Sequence, residues 1–419
     1  MKSLKKITAL LAALAISASM LTACGKTDSS SDGSSASDSA SDASAADSSA
    51  SSADDASSQQ SSELPEPTLT IDGESVDING LVMCKIDGNE ISFDLFRYYY
   101  YYQLSLFANN YGITLENIMS DETLIKTFKD TLISALKQDL VCVHLAKENG
   151  IELDEDDKKK VDSNIEAIKA NYASDEEYEN ALKAACMTPE VYRYLQELSV
   201  LYSKVESQLF LNGGKYATSA DDFRKIVKDT DKYSRVRSIL IPYHCKVDIS
   251  DESVAAEYES YTLSQKNSAK NTAYNALSDE DKEKAKEEAK KVADEALEKA
   301  KNGEDFDKLI DEYGWDPGMV SSKDGYYINK DHTSYIAAYV DAAFALSENE
   351  ISDLVESESY GWFILKRLPV DDEYVEANLD KMIIEYDDPT ITQLYKDVSA
   401  AMEVTDSEYF DKMNLNDIT

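Results

Sequence analysis

Histidine is scarce in this 419-residue chain. There are three, His144, His244 and His332, and they lie far apart in sequence. A zinc site would need ligands gathered by folding alone, so no metal and no cofactor is expected. Cysteine is also sparse. Five are present with no C-x-x-C pair, and the spacing of Cys84, Cys142, Cys186 and Cys245 indicates no disulfide framework. Cys142 and Cys186 sit in helical patterns and read as small core residues. Basic residues are outnumbered, 42 Lys and Arg against 81 Asp and Glu, for a formal net charge of -39. Such a chain repels nucleic acid and anionic surfaces, and the charge itself is read as serving solubility. Beyond the first residues, no segment is long and apolar enough to span a bilayer.

The chain opens "MKSLKKITALLAALAISASMLTACGK". Lys2, Lys5 and Lys6 precede a short apolar stretch, the order of a secretory signal. Its end, Leu21-Thr22-Ala23-Cys24, resembles a bacterial lipobox, which makes Cys24 the expected lipidated first residue of the mature chain. The alternative is an ordinary signal peptide with an incidental cysteine. Two acyl chains would give a lasting membrane anchor where one would not. Residues 1–23 are thus read as signal, and 24–67 as a Ser/Asp/Ala tether that cannot bury enough surface to offset chain entropy.

The folded part starts with "LVMCKIDGNEISFDLF", a hairpin turning at Asp87-Gly88. Helical patterns follow. Tyr98 to Tyr102 are five consecutive tyrosines, which cannot all face one way on a helix. Some rings are expected inside and others toward solvent or a partner, with ordinary amphipathic packing at least as good an account. Leu124, Phe128, Leu132, Leu136 and Leu140 keep helical spacing. Further helices start at Asp154, Ser174 and Thr188-Pro189. "SADDFRKIVKD" is read as the last short helix of a mainly helical domain over 68–232.

The pattern then changes to β-rich "SRVRSILIP", an amphipathic helix after Ser278, and strands at "DGYYI", "ISDLVES" and "WFILKRL". This predicts a compact domain over 233–370, with a polar insertion near 250–277. Residues 371–419 read as a helical tail expected to pack on the helical domain. The fold class is α+β: a mainly helical domain plus a small domain with an antiparallel-rich sheet flanked by helices.

The segment "KNGEDFDKLIDEYGWDPG" and the closing "DAAFALSENEISDLVESESYGWFILKRL" resemble, in order, motifs of the parvulin-type (PpiC, rotamase) peptidyl-prolyl isomerases. The helical segment beginning "CKIDGNEIS" resembles the amino-terminal chaperone domain of SurA- and PrsA-like foldases. Signal, lipobox, tether and both domains together resemble the PrsA-like lipid-anchored foldases of Gram-positive bacteria. The resemblance implies an extracytoplasmic chaperone acting on unfolded or partly folded exported proteins and on X-Pro peptides, without nucleic acid and without cofactor.

It also implies site residues. The family's two histidine positions fall on Ser238 and Phe363, so isomerase activity is expected to be weak or lost. The alternative is a non-catalytic holdase or peptide-binding surface lipoprotein. Asp316 matches the acidic or thiol position near the cleft, with a turn residue before Pro317 as the competing account. Tyr335 and Tyr339 match the proline pocket, and Phe344 the aromatic of the closing helix. Asp316 and Ser238 are thus the candidate catalytic groups, and Tyr335, Tyr339, Phe344 and Phe363 the candidate peptide-binding groups.

Overall fold

A computed structural model describes residues 66–419 except Asn212 and Ser407. The signal sequence, Cys24 and nearly all of the tether lie outside the described residues. The chain forms two compact units. Of the described residues, those up to Ala217 join Asp388–Thr419 in the first, and Thr218–Asp387 make the second.

The first unit begins with two hairpins, β1 (Leu69–Ile71) with β2 (Glu74–Val76) and β3 (Val82–Ile86) with β4 (Asn89–Ser92). Asp87 and Gly88 both take positive φ, the geometry that matches strand twist in a two-residue turn. Ser92 caps the helix Phe93–Tyr111 by accepting from the Leu95 amide. The longest helix, Glu122–Glu148, buries Phe128, Leu132, Leu136 and Leu140, the stripe its spacing predicts. Tyr100 and Phe107 meet Phe128 edge-on at 5.6 and 5.4 Å. Tyr99 and Tyr100 are buried and Tyr98, Tyr101 and Tyr102 half-buried, so none of the five rings is an exposed surface.

The end of the chain completes this unit. Val404–Thr405 pair with β3, Leu69 bridges Ile418, and Thr68 and Thr419 exchange backbone hydrogen bonds. The buried Tyr100 hydroxyl donates to the Leu415 carbonyl. Cys84, Cys142 and Cys186 here, and Cys245 in the second unit, are buried free thiols.

The second unit holds a four-stranded antiparallel sheet in the order β6-β5-β8-β7, with β5 Tyr233–Ile241, β6 Tyr326–Asn329, β7 Val355–Ser357 and β8 Gly361–Leu368. Alternation gives the sheet two different faces. Ile239, Ile241 and Ile364 pack against Ala289, Ala293 and Ala296 of the helix Asp279–Lys301 and Phe306, Leu309 and Ile310 of the helix Phe306–Tyr313. Val236, Ile328, Phe363 and Leu365 pack against the helix Ala337–Ala345. Gly361 must be glycine. Its φ is 116°, and a Cβ there would stand 2.4 Å from the Ile241 carbonyl oxygen.

The unit boundaries differ from the sequence reading. The helix Ala220–Ile226 was expected to close the helical domain. It packs Phe223, with Val227 just beyond, against Tyr233, Val375, Met382 and Ile383, so its apolar face belongs to the sheet unit. Asp387 ties the same region, accepting from the Thr218 amide at 2.7 Å. The tail therefore divides after Asp387. The expected insertion is partly helical. It forms the helices Glu252–Glu257 and Leu263–Asn275, neither with a buried residue, the second closed by a reciprocal Thr262/Gln265 capping box. No helix among the described residues is long and apolar enough to cross a membrane.

Candidate functional site

The face covered by the helix Ala337–Ala345 gathers most of the expected site residues. Alternation along β5 points Ser238 to this face, and β8 brings Phe363 to the same face opposite Leu240, two positions along. Tyr339 comes down from the helix, is almost fully buried, and donates its hydroxyl to Ser238 Oγ at 2.9 Å. The Phe363 and Tyr339 rings meet in a T-shaped contact at 5.1 Å. The slot where the resemblance places one histidine thus holds a hydrocarbon ring, and the other holds an alcohol already bonded to a phenol.

Tyr335, in the bend just before that helix, stacks on Tyr339 at 5.4 Å and 16° and is still partly open to solvent. On β6, Tyr326 adds a ring 5.7 Å from Tyr335 and donates its hydroxyl to both Asp316 oxygens at 3.1 Å. At the other end Tyr360, about half exposed, reaches Phe363 edge-on at 6.3 Å. Five rings therefore form one ladder, Tyr326, Tyr335, Tyr339, Phe363 and Tyr360, with Ser238 and Asp316 as its polar attachments.

Asp316 plays two parts. It caps the short helix Pro317–Ser321, accepting from the Gly318 and Met319 amides at 2.9 and 3.3 Å. It also accepts from Tyr326. Gly318 makes room for that contact, since a Cβ there would fall 2.3 Å from the Tyr326 hydroxyl.

Burial raises all three tyrosine hydroxyls of the pocket. Tyr335 is pushed up to about 12, and Tyr326 and Tyr339 further, with the Asp316 carboxylate adding to burial. They are neutral donors at any physiological pH. Tyr339, Phe363 and Ser238 are buried, and Tyr335 and Tyr360, toward the two ends of the ladder, meet solvent.

Phe344 packs on the same apolar cluster but stands outside the ladder. Five residues beyond Tyr339, it leaves the helix in another direction, and its half-buried ring lies beneath Lys330 at 5.2 Å and Arg367 at 6.0 Å. His244 is buried elsewhere, edge-on to Trp315 at 5.9 Å and bonded to Asn267, and burial lowers its pKa. Tyr326 and Tyr360 are the site residues that the sequence reading missed. Tyr326 could have been suspected from alternation in "DGYYI", which sets it on the face of Ile328; nothing in the sequence marks Tyr360.

This arrangement has a recognised class. Residues 262–370 match the family described as the PPIC-type PPIASE domain, so the second unit carries a peptidyl-prolyl isomerase fold of that class. The match begins after β5. Asp316, Tyr335, Tyr339, Phe344 and Phe363 fall inside it and Ser238 does not.

Particular relatives are the Chaperone SurA of Pseudoalteromonas translucida (strain TAC 125), 44% identical over 64 residues, which are 15% of this chain and 14% of that protein. The chain thus matches only a small part of the curated relative's length. Among solved structures, the peptidylprolyl isomerase PrsA of Bacillus cereus is 16% identical, covering 80% of this chain and 97% of its own, with a TM-score of 0.33. The foldase protein PrsA of Streptococcus pneumoniae is 19% identical over 77% and 93%, with a TM-score of 0.26.

Proposed function

We propose that this protein is an extracytoplasmic foldase, held to the membrane through lipidated Cys24, that binds unfolded or partly folded exported proteins and catalyses prolyl cis-trans isomerisation weakly. The observation that carries the reading is the Tyr335-Tyr339-Phe363 aromatic wall with the Tyr339–Ser238 hydroxyl pair, set on the sheet face of a PPIC-type domain.

Prolyl isomerisation makes no covalent intermediate. It lowers a barrier of roughly 18–20 kcal/mol by holding the amide twisted in a dry, apolar site. Aromatic walls suit the pyrrolidine ring, and a buried hydroxyl pair can orient the amide. Ser238 and Phe363 leave no imidazole to order neighbouring polar groups, which supports low turnover.

The same substitutions favour a second reading, a holdase whose isomerase fold serves as a peptide platform. Isomerisation of an X-Pro peptide panel by the whole protein separates the two. Acceleration above the uncatalysed rate, lost in Tyr339→Ala, supports the foldase. Peptide binding with no acceleration of any X-Pro bond sinks it in favour of the platform.

A further inference from the structure

β4 is the outer strand of its sheet. β3 pairs with it on one side and with Val404–Thr405 on the other. The Asp87 amide donates to the Glu403 carbonyl at 2.9 Å, which turns Lys85 and Asp87 toward that last strand and leaves Cys84 and Ile86 facing β4. Cys84 with Ile91 and Ile86 with Asn89 are then the hydrogen-bonded pairs. Glu90, between them, is exposed and points its amide and carbonyl away from β3, where they meet no backbone partner among the described residues. A groove of about 330 Å³ lies beside this edge, wholly within the first unit. Val143 and Tyr194 are its half-open apolar walls over a buried floor. Asp94 and Glu190, in the first turns of the helices Phe93–Tyr111 and Pro189–Val205, line it as well. No lysine or arginine does, and neither carboxylate has an ion pair among the described residues. Arg97, three residues beyond Asp94, gives its Nε to the Thr419 carbonyl at 2.7 Å. Burial raises the Asp94 pKa, and Glu190 adds to it over the opposing pull of Arg97.

We propose that the β4 edge takes an extended segment of an unfolded client as an added strand, with an apolar side chain against Val143 and Tyr194 and a lysine or arginine between Asp94 and Glu190. The proposal rests on the reading that this protein binds unfolded exported proteins. Strand pairing sets the place. A strand laid about 4.8 Å outside β4, bonded to the Glu90 amide and carbonyl, runs along the groove. Spacing sets the register. Glu190 and Tyr194 lie one helical turn apart, about 6 Å, and alternate side chains of a strand recur on one face at about 6.8 Å. Charge sets the occupant. Two carboxylates that repel each other beside apolar walls gain from a cation between them. The chain's own tether carries nine Asp and Glu against one lysine over 25–67, and a second copy brings a net charge of -39. Both are repelled where a basic segment is drawn in.

The experiment is a binding titration of the full-length chain with labelled proline-free peptides, which leave prolyl isomerisation out of the measurement. Each alternates serine with valine, one valine being replaced by Lys, Gln or Glu. The Lys peptide should bind about fivefold tighter than the Glu peptide, the scale of a partly solvated ion pair. Glu190→Lys, an exposed change, should invert that order. Glu90→Pro removes the outward amide hydrogen at an edge position that tolerates proline, and Glu90→Ala removes only the side chain. The proline variant should bind every peptide about fivefold more weakly than the alanine variant, while a thermal melt confirms the fold. Equal binding of the three peptides with the proline and alanine variants alike, or no binding while X-Pro turnover persists, overturns the added strand and leaves the proposed function standing. So does self-association that Glu90→Pro abolishes, which gives the edge to a second copy. If neither the peptides nor an unfolded protein bind and no X-Pro bond is accelerated, the proposed function falls and the added strand with it.

Discussion

At the scale of single residues, Phe363 and Ser238 set the chemistry. Phe363 is buried against the Tyr339 ring, and Ser238 is satisfied by the Tyr339 hydroxyl. Restoring one imidazole would place a polar ring where its partner is missing. Hydrogen-bonded groups that act as a unit are strongly non-additive. Ser238→His combined with Phe363→His should therefore raise kcat/KM by more than the product of the two single effects. The exchange at 363 shrinks a buried ring and adds a donor, at a cost of about 2–4 kcal/mol, so a melting curve must accompany the assay. Multiplicative single effects, in variants that melt normally, would show that the two slots do not cooperate.

Among elements, the short helix Pro317–Ser321 and the long helix Glu122–Glu148 each carry a carboxylate with a testable role. Asp316 is the cap of the first and the acceptor of Tyr326. Asp316→Asn keeps an oxygen for the cap, whereas Asp316→Ala removes it and should cost about 1–2 kcal/mol of stability. If Asp316 only caps, the Asn variant keeps both Tm and isomerisation rate. If its charge also holds Tyr326 in the ladder, the Asn variant keeps Tm and loses rate.

Asp139 lies on the long helix, with Tyr98, Tyr194 and Cys142 nearby. Burial holds its carboxyl near 7, far above an ordinary carboxylate. Between about pH 4 and pH 7 the native state keeps a proton that the unfolded chain has released, so stability falls as pH rises through that window. Asp139→Asn should accordingly raise Tm at pH 8 and change it little at pH 4. An equal shift at both pH values would mean that ionisation of Asp139 is not the cause.

For the whole molecule, the proposed attachment rests on Cys24, outside the described residues. Cys24→Ala should release the protein from membranes or leave an uncleaved precursor. A mature-sized variant that still sediments with membranes would refute the lipid anchor.

Much of the molecule was legible in the linear sequence, because local signals are carried by neighbouring residues. Helix caps at Ser174 and Thr188, the Asp87-Gly88 turn and the stripe through Phe128 and Leu140 depend on spacing alone, and the helices and hairpin form where that spacing puts them. The order of motifs from Lys301 to Leu368 was enough for the PPIC-type fold. What the sequence could not fix is what depends on register and on packing between distant segments. The pairing of Leu240 with Phe363 and the descent of Tyr339 onto Ser238 join positions about a hundred residues apart. The five-tyrosine run was ambiguous until the burial of Tyr99 and Tyr100 was known. The division at Ala217 and Asp387 follows the apolar partners of Phe223, which no local pattern names. Spacing along the chain determined which elements form. Only the tertiary structure decided which side chains share a face, because a sheet makes neighbours of residues that the chain keeps far apart.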